Sequence, residues 1–128
     1  MFNLALLIDN HDEANDLNQD VIISSGLAKE VVIKNNGRDA INYLTTNPDI
    51  PDIIFLDINM PIVDGCVFIH EFESLPEIIK DLSQIYILAS SKNDGYLQKM
   101  VEGNEISGIV PKPLTAEECE KIMKQPQI

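Results

Sequence analysis

Two aspartates each follow a short unbroken apolar run, and a lysine follows a further strand candidate that Ser107 and Gly108 interrupt. Leu4 to Ile8 ends on Asp9-Asn10, Ile53 to Leu56 ends on Asp57, and Ile106 to Val110 leads into Pro111-Lys112-Pro113. Short unbroken apolar runs closed by turn residues read as strands covered on both faces. In open α/β sheets the carboxyl ends of such strands are where ligands bind. Asn10, Asn59, Ser90 and Ser91 would arrive at the same edge. Carboxylates gathered in one place repel and raise one another's pKa unless something compensates. A Mg²⁺ ion, which takes oxygen ligands and one or two protein carboxylates, is one compensation. The Lys112 ammonium, able to pair with an acid or with a phosphoryl oxygen, is another. Each residue also has a plainer role: Asp9 as a helix cap, Asn59 as a turn former, Lys112 as a solvated loop lysine. Their joint arrival at one pole is what marks a site.

The elements that must position them alternate along the chain. A helix over 12–24 follows the first strand, with Ala14, Leu17, Val21 and Ile22 expected inward and Gly26 as its stop. Val31 to Ile33 is a short second strand, and Arg38 to Thr45 a helix whose inner face carries Ala40, Ile41 and Leu44. The third strand, Ile53 to Leu56, leads through Asp64-Gly65 into a helix over 65–73 with Val67, Phe68 and Phe72 inward. A further helical turn is placed around Glu77 to Asp81, then a fourth strand, Ile85 to Ala89. A helix over 93–102 contains Gly95, which costs about 1 kcal/mol there against alanine. After Ile106 to Val110, Thr115-Ala116-Glu117-Glu118 is a capping-box signature for the last helix, to about Lys124.

Strand and helix alternating five times argue for a parallel sheet with helices on both faces. The expected fold is a flavodoxin-like (βα)5 three-layer α/β sandwich of strand order 2-1-3-4-5, a single domain over 1–128. That order makes the first and third strands neighbours and brings Asp9 beside Asp57.

Charge and composition narrow the function. Nine basic against twenty-one acidic residues give −12, a field that repels nucleic acid and suits a basic protein surface or a cation site. The apolar runs are too short to span a membrane, and no signal segment opens the chain, so a cytoplasmic protein is expected. Cys66 and Cys119 read as small hydrophobes on helices, not as a disulfide or metal pair. A nucleotide site lacks its signatures: there is no G-x-G-x-x-G after the first strand and no G-x-x-x-x-G-K-S/T. The acid-rich Asp9 to Glu13 loop would repel a flavin phosphate. His11 reads as an exposed first-turn residue, and His70 as a mid-helix one.

The chain resembles the receiver domain of two-component response regulators (the CheY-like superfamily) from Leu4 to about Met123. The marks are Leu56-Asp57-Ile58-Asn59-Met60-Pro61 with Asp64-Gly65, Asn36-Gly37-Arg38-Asp39-Ala40, and Lys112-Pro113-Leu114. The resemblance implies that Asp57 is the phosphoacceptor, taking a phosphoryl group from the histidine of a partner kinase or phosphotransfer protein. It implies a Mg²⁺ site, with Mn²⁺ an alternative, in which Asp9 acts through water, Asp57 directly and Asn59 through its backbone carbonyl. Lys112 would pair with the phosphoryl oxygens, and Lys112-Pro113 would be cis. Beyond self-phosphorylation from a donor and autodephosphorylation, no conventional enzyme activity is expected.

Three positions depart from the family pattern. Asn10 stands where the second acid, a direct metal ligand, usually sits; the first helix's register, with Leu17 inward, assigns it there. An amide oxygen there gives a weaker Mg²⁺ site, and Asp12 or Glu13 is a candidate to make up the charge. The switch hydroxyl at the end of the fourth strand maps to Ala89, with Ser90 next in line to take its part. The partner aromatic of the fifth strand maps to Ile109. Two functions follow: a phosphoacceptor in a two-component pathway or phosphorelay, or a degenerate receiver serving as a phosphorylation-independent adaptor. A downstream protein would bind the face of the 93–102 helix, the fifth strand and the last helix, where Tyr96 could contribute. Tyr86 is read equally as part of that face or of the core.

Overall fold

The apolar runs form five strands: β1 (Phe2–Ile8), β2 (Ala28–Lys34), β3 (Ile53–Asp57), β4 (Gln84–Ala89) and β5 (Ile106–Pro111). All pair in parallel, in the order β2-β1-β3-β4-β5. The computed structural model describes residues 2–57, 62–89 and 106–124, with the backbone alone over 62–67. The helices are α1 (Asp12–Ser24), α2 (Gly37–Thr46), α3 (Ile62–Glu73), α4 (Glu77–Leu82) and α5 (Ala116–Lys124). The helix expected over 93–102, with Tyr96, lies outside the described residues. No described helix is long and apolar enough to cross a membrane.

Successive side chains of a strand point to opposite faces, so an unbroken apolar run needs cover on both. Leu6, Ile8, Ile54, Leu56 and Ile87 pack with Ala40 and Leu44 of α2 and Phe68 and Phe72 of α3. Ala5, Leu7, Ile53, Phe55 and Leu88 pack with Ile22 of α1 and with Cys119 and Ile122 of α5. Each large apolar side chain removed from water contributes roughly 1.5–3 kcal/mol. All five residues of β3 are buried, which fixes Asp57 as the last residue of the most enclosed strand.

The helix ends carry the expected chemistry. Gly26 takes φ 81°, and Leu27 N–H bonds back to the Ile22 carbonyl at 3.1 Å, closing α1. Asn36 caps α2 by accepting from Asp39 N at 2.8 Å. Thr115 Oγ1 accepts from Glu118 N at 3.2 Å ahead of α5.

Two readings change. The buried residues of α1 are Asn15, Asn18 and Ile22, whereas Leu17 is 61% exposed. Polar side chains hold the inward face because backbone groups of neighbouring segments need partners there. The inward Leu17 that had assigned Asn10 its place is therefore lost. The third helix starts at Ile62, earlier than the glycine suggested. A glycine inside a helix costs only about 1 kcal/mol, less than the burial of Phe68 and Phe72 returns.

Tyr86 belongs to the core. It is 3% exposed, with its ring centroid 6.1 Å from that of Phe55. The β4–β5 register shifts there, Ile85 pairing Ile106 but Tyr86 pairing Gly108, so Ser107 is the extra residue of a bulge. A Cβ at Gly108 would come within 3.1 Å of Tyr86 Cε1, so the missing side chain makes room for the ring.

Candidate functional site

The register of the central strands builds the site. Ile8 pairs Leu56, so the next residues, Asp9 and Asp57, leave the sheet side by side. Ala89 at the end of β4 pairs Pro111, and Lys112 N–H bonds to the Ala89 carbonyl at 3.0 Å. From there the Lys112 side chain reaches past the end of β4. Its Nζ lies 2.8 Å from Asp57 Oδ1. The Lys112-Pro113 peptide is cis.

Asp9 and Asp57 are both fully buried. Asp9 Oδ1 accepts from His11 N at 2.9 Å and lies 3.2 Å from His11 Nδ1. Asp9 Oδ2 has no hydrogen-bond donor among the described residues. Burial holds the Asp9 carboxyl above the ordinary carboxylate range, and the neighbouring Asp57 charge adds to the rise, while the bonds from His11 oppose it. Asp57 thus divides its oxygens, Oδ1 toward Lys112 and Oδ2 toward His11, whose Nδ1 is 3.9 Å away.

Two buried asparagines fix the loops that carry these groups. Asn15 Nδ2 donates to the Asp9 carbonyl at 2.9 Å, and Asn18 Oδ1 accepts from Leu114 N at 3.1 Å. Neither was among the residues singled out by sequence. Apolar periodicity passes over a polar residue that is inward because it serves backbone.

Of the expected site residues, Asp9, Asp57 and Lys112 come together. Asn10 is exposed beside them. Asn59, Ser90 and Ser91 lie outside the described residues. Asp12 and Glu13 are exposed, and among the described residues Asp9, His11 and Asp57 form a group able to hold a metal, their ligand atoms lying within 4.8 Å of one another. His11 is 60% exposed, as expected, but its ring is oriented. A buried carboxylate oxygen without a donor, set against a second carboxylate, fits a divalent cation. Ala89 is buried in the core cluster against which the half-buried Ile109 packs, and neither side chain carries a hydroxyl or an aromatic ring. The cavity of about 490 Å³ lined by Asn3, Ile50, Asp52 and Leu82 shares no residue with this cluster.

The model of the response regulator receiver domain matches residues 5–124, and the chain belongs to that family. It is similar to a two-component response regulator from Cytophaga hutchinsonii, with 32% identity over 95% of this chain and 94% of that one and a TM-score of 0.84. A receiver protein from Dyadobacter fermentans shares the fold at 24% identity, over 94% of each chain, with a TM-score of 0.83. The Mn²⁺-bound form of the response regulator Rcp1 does so at 23% identity, over 95% of this chain and 89% of that one, with a TM-score of 0.70. No curated protein sequence matches the chain.

Proposed function

We propose that this receiver is the phosphoacceptor of a two-component or phosphorelay pathway, working in the cytoplasm as one domain over 1–128. The carrying observation is Asp57, buried at the end of the central strand with Lys112 Nζ 2.8 Å from one oxygen and Asp9 beside it. An Asp57 oxygen attacks the phosphorus of a phosphohistidine on a kinase or phosphotransfer protein. The P–N bond breaks, the imidazole takes the electron pair, and an acyl phosphate forms on Asp57. Transfer of this kind needs an in-line nucleophile and positive charge on the equatorial oxygens more than it needs an acid or a base. Lys112 supplies one such charge, moving from the carboxylate to a phosphoryl oxygen. A Mg²⁺ ion, when bound, neutralises the remaining charge; Asp9 through water, Asn10, Asp57 and the Asn59 carbonyl would hold it. Ser90 is assigned to the phosphoryl group in place of the hydroxyl missing at Ala89. The downstream partner would take the face of β5, α5 and the 93–102 segment.

Incubation with phosphoramidate or acetyl phosphate and Mg²⁺ tests this. An added phosphoryl mass that is absent from Asp57→Asn is expected. No adduct at any Mg²⁺ or Mn²⁺ concentration would overturn the reading.

Ala89 and Ile109 favour a second reading, a phosphorylation-independent adaptor. Without the hydroxyl and the ring, charge at Asp57 has no rotamer pair to move. Beryllofluoride, a mimic of the acyl phosphate, separates the two. Amide shifts reaching β5 and α5 support a phosphorylation-driven output, and shifts confined to the Asp57 end support the adaptor.

A further inference from the structure

We infer that His11 is a direct ligand in the metal site and tilts it from Mg²⁺ toward divalent ions that accept nitrogen, such as Mn²⁺ and Co²⁺. The inference rests on the proposed metal-dependent site and adds a ligand to it.

The residue that follows Asp9 is Asn10, which is neutral and exposed. It adds no charge to the two carboxylates, which weighs most on Mg²⁺, an ion that favours charged oxygen ligands. His11 stands at the next position. Its ring is held at the pocket because the His11 amide bonds to Asp9 Oδ1, which turns the chain back over that carboxylate. Nδ1 then lies 3.2 Å from Asp9 Oδ1 and 3.9 Å from Asp57 Oδ2. The three ligand atoms lie within 4.8 Å of one another, close enough to serve one ion, directly for Nδ1 and Asp57 and through water for Asp9. The buried Asp9 Oδ2, without a donor among the described residues, points to the same occupant independently of the ring. With Nδ1 binding the ion through its lone pair, the neutral imidazole keeps its proton on Nε2. Two carboxylates and one imidazole form a mixed oxygen and nitrogen donor set, and imidazole favours transition metals over Mg²⁺.

The test uses the metals alone on the full chain. Mn²⁺ bound to the wild-type protein should show coupling to an imidazole ¹⁴N in electron spin-echo modulation, and His11→Ala should lose it. The same substitution should weaken Mn²⁺ and Co²⁺ by about tenfold while changing Mg²⁺ by less than about twofold, a selectivity change of about 1.4 kcal/mol. His11→Ala should fold, because the side chain is exposed and the capping bond to Asp9 comes from the backbone. Bound Mn²⁺ without nitrogen coupling, or an unchanged Mn²⁺ to Mg²⁺ ratio, would overturn the inference. A Mg²⁺-dependent phosphoryl adduct alongside such a result would leave the phosphoacceptor reading standing. Binding of none of these ions would overturn the inference and remove the metal from that reading as well.

Discussion

Asn18 on α1 and Leu114, ninety-six residues later, are joined by a buried hydrogen bond of 3.1 Å from the Leu114 amide to Asn18 Oδ1. The bond ties the inward face of α1 to the segment just past Lys112-Pro113, and so to the lysine that reaches Asp57. Removing it leaves a buried amide without a partner, which costs about 1–3 kcal/mol. Asn18→Ala should lower stability in urea by about 2 kcal/mol, whereas Asp20→Ala on the exposed side of the same helix should change it by less than about 0.5 kcal/mol.

Lys112 and Asp57 form an ion pair in which Asp57 is fully buried and Lys112 partly exposed. Breaking such a pair from one side strands a charge, at a cost of about 3–5 kcal/mol, and the partial exposure of Lys112 places this case near the lower end. Lys112→Met should therefore destabilise by about 3 kcal/mol. Adding Asp57→Asn should recover most of that loss. Additive losses in a double-mutant cycle would show that the pair is not coupled.

Asp9 predicts a pH dependence. Burial, with Asp57 beside it, raises its folded pKa above the ordinary value of 3.8. The folded state then holds the Asp9 proton more tightly than the unfolded chain does. This contribution is fully present below about pH 4 and is lost as pH rises through the raised folded value. In the presence of a chelator Asp9→Asn should gain on the wild type as pH rises from 4 to 7, as followed by urea denaturation. Mg²⁺ should narrow the gap by stabilising the wild type alone, by about 2.7 kcal/mol at a hundred times its dissociation constant. A gap that stays constant with pH would contradict the geometry at Asp9.

Cys119 is fully buried, and burial pushes its thiol pKa up. In a Cys66→Ser background, its reaction with a disulfide reagent should be undetectable in native buffer and appear with the unfolding transition. Reaction at the rate of a free thiol would place this face of α5 in solvent.

The sequence made the sheet legible because β1, β3 and β4 are covered on both faces and so appear as unbroken apolar runs. Right-handed crossovers narrow the topologies, and the flavodoxin-like order expected for five such units is the one found, with Asp9, Asp57 and Lys112 meeting at its end. The inward face of α1 was not legible. Leu17 fits an apolar pattern but is exposed, while Asn15 and Asn18 are buried because the Asp9 carbonyl and the Leu114 amide need partners. The orientation of His11 was hidden for a related reason. It depends on a backbone bond to Asp9, which no spacing of residue types encodes.

The central claim is that Asp57 carries the phosphoryl group. The most direct measurement treats the protein with phosphoramidate and Mg²⁺, reduces it with borohydride and sequences the peptide containing residue 57. An acyl phosphate there would be converted to homoserine, so homoserine at 57, absent without the donor, is the predicted result. Unmodified aspartate at 57 after reduction, with or without a phosphoryl group elsewhere on the chain, would contradict it.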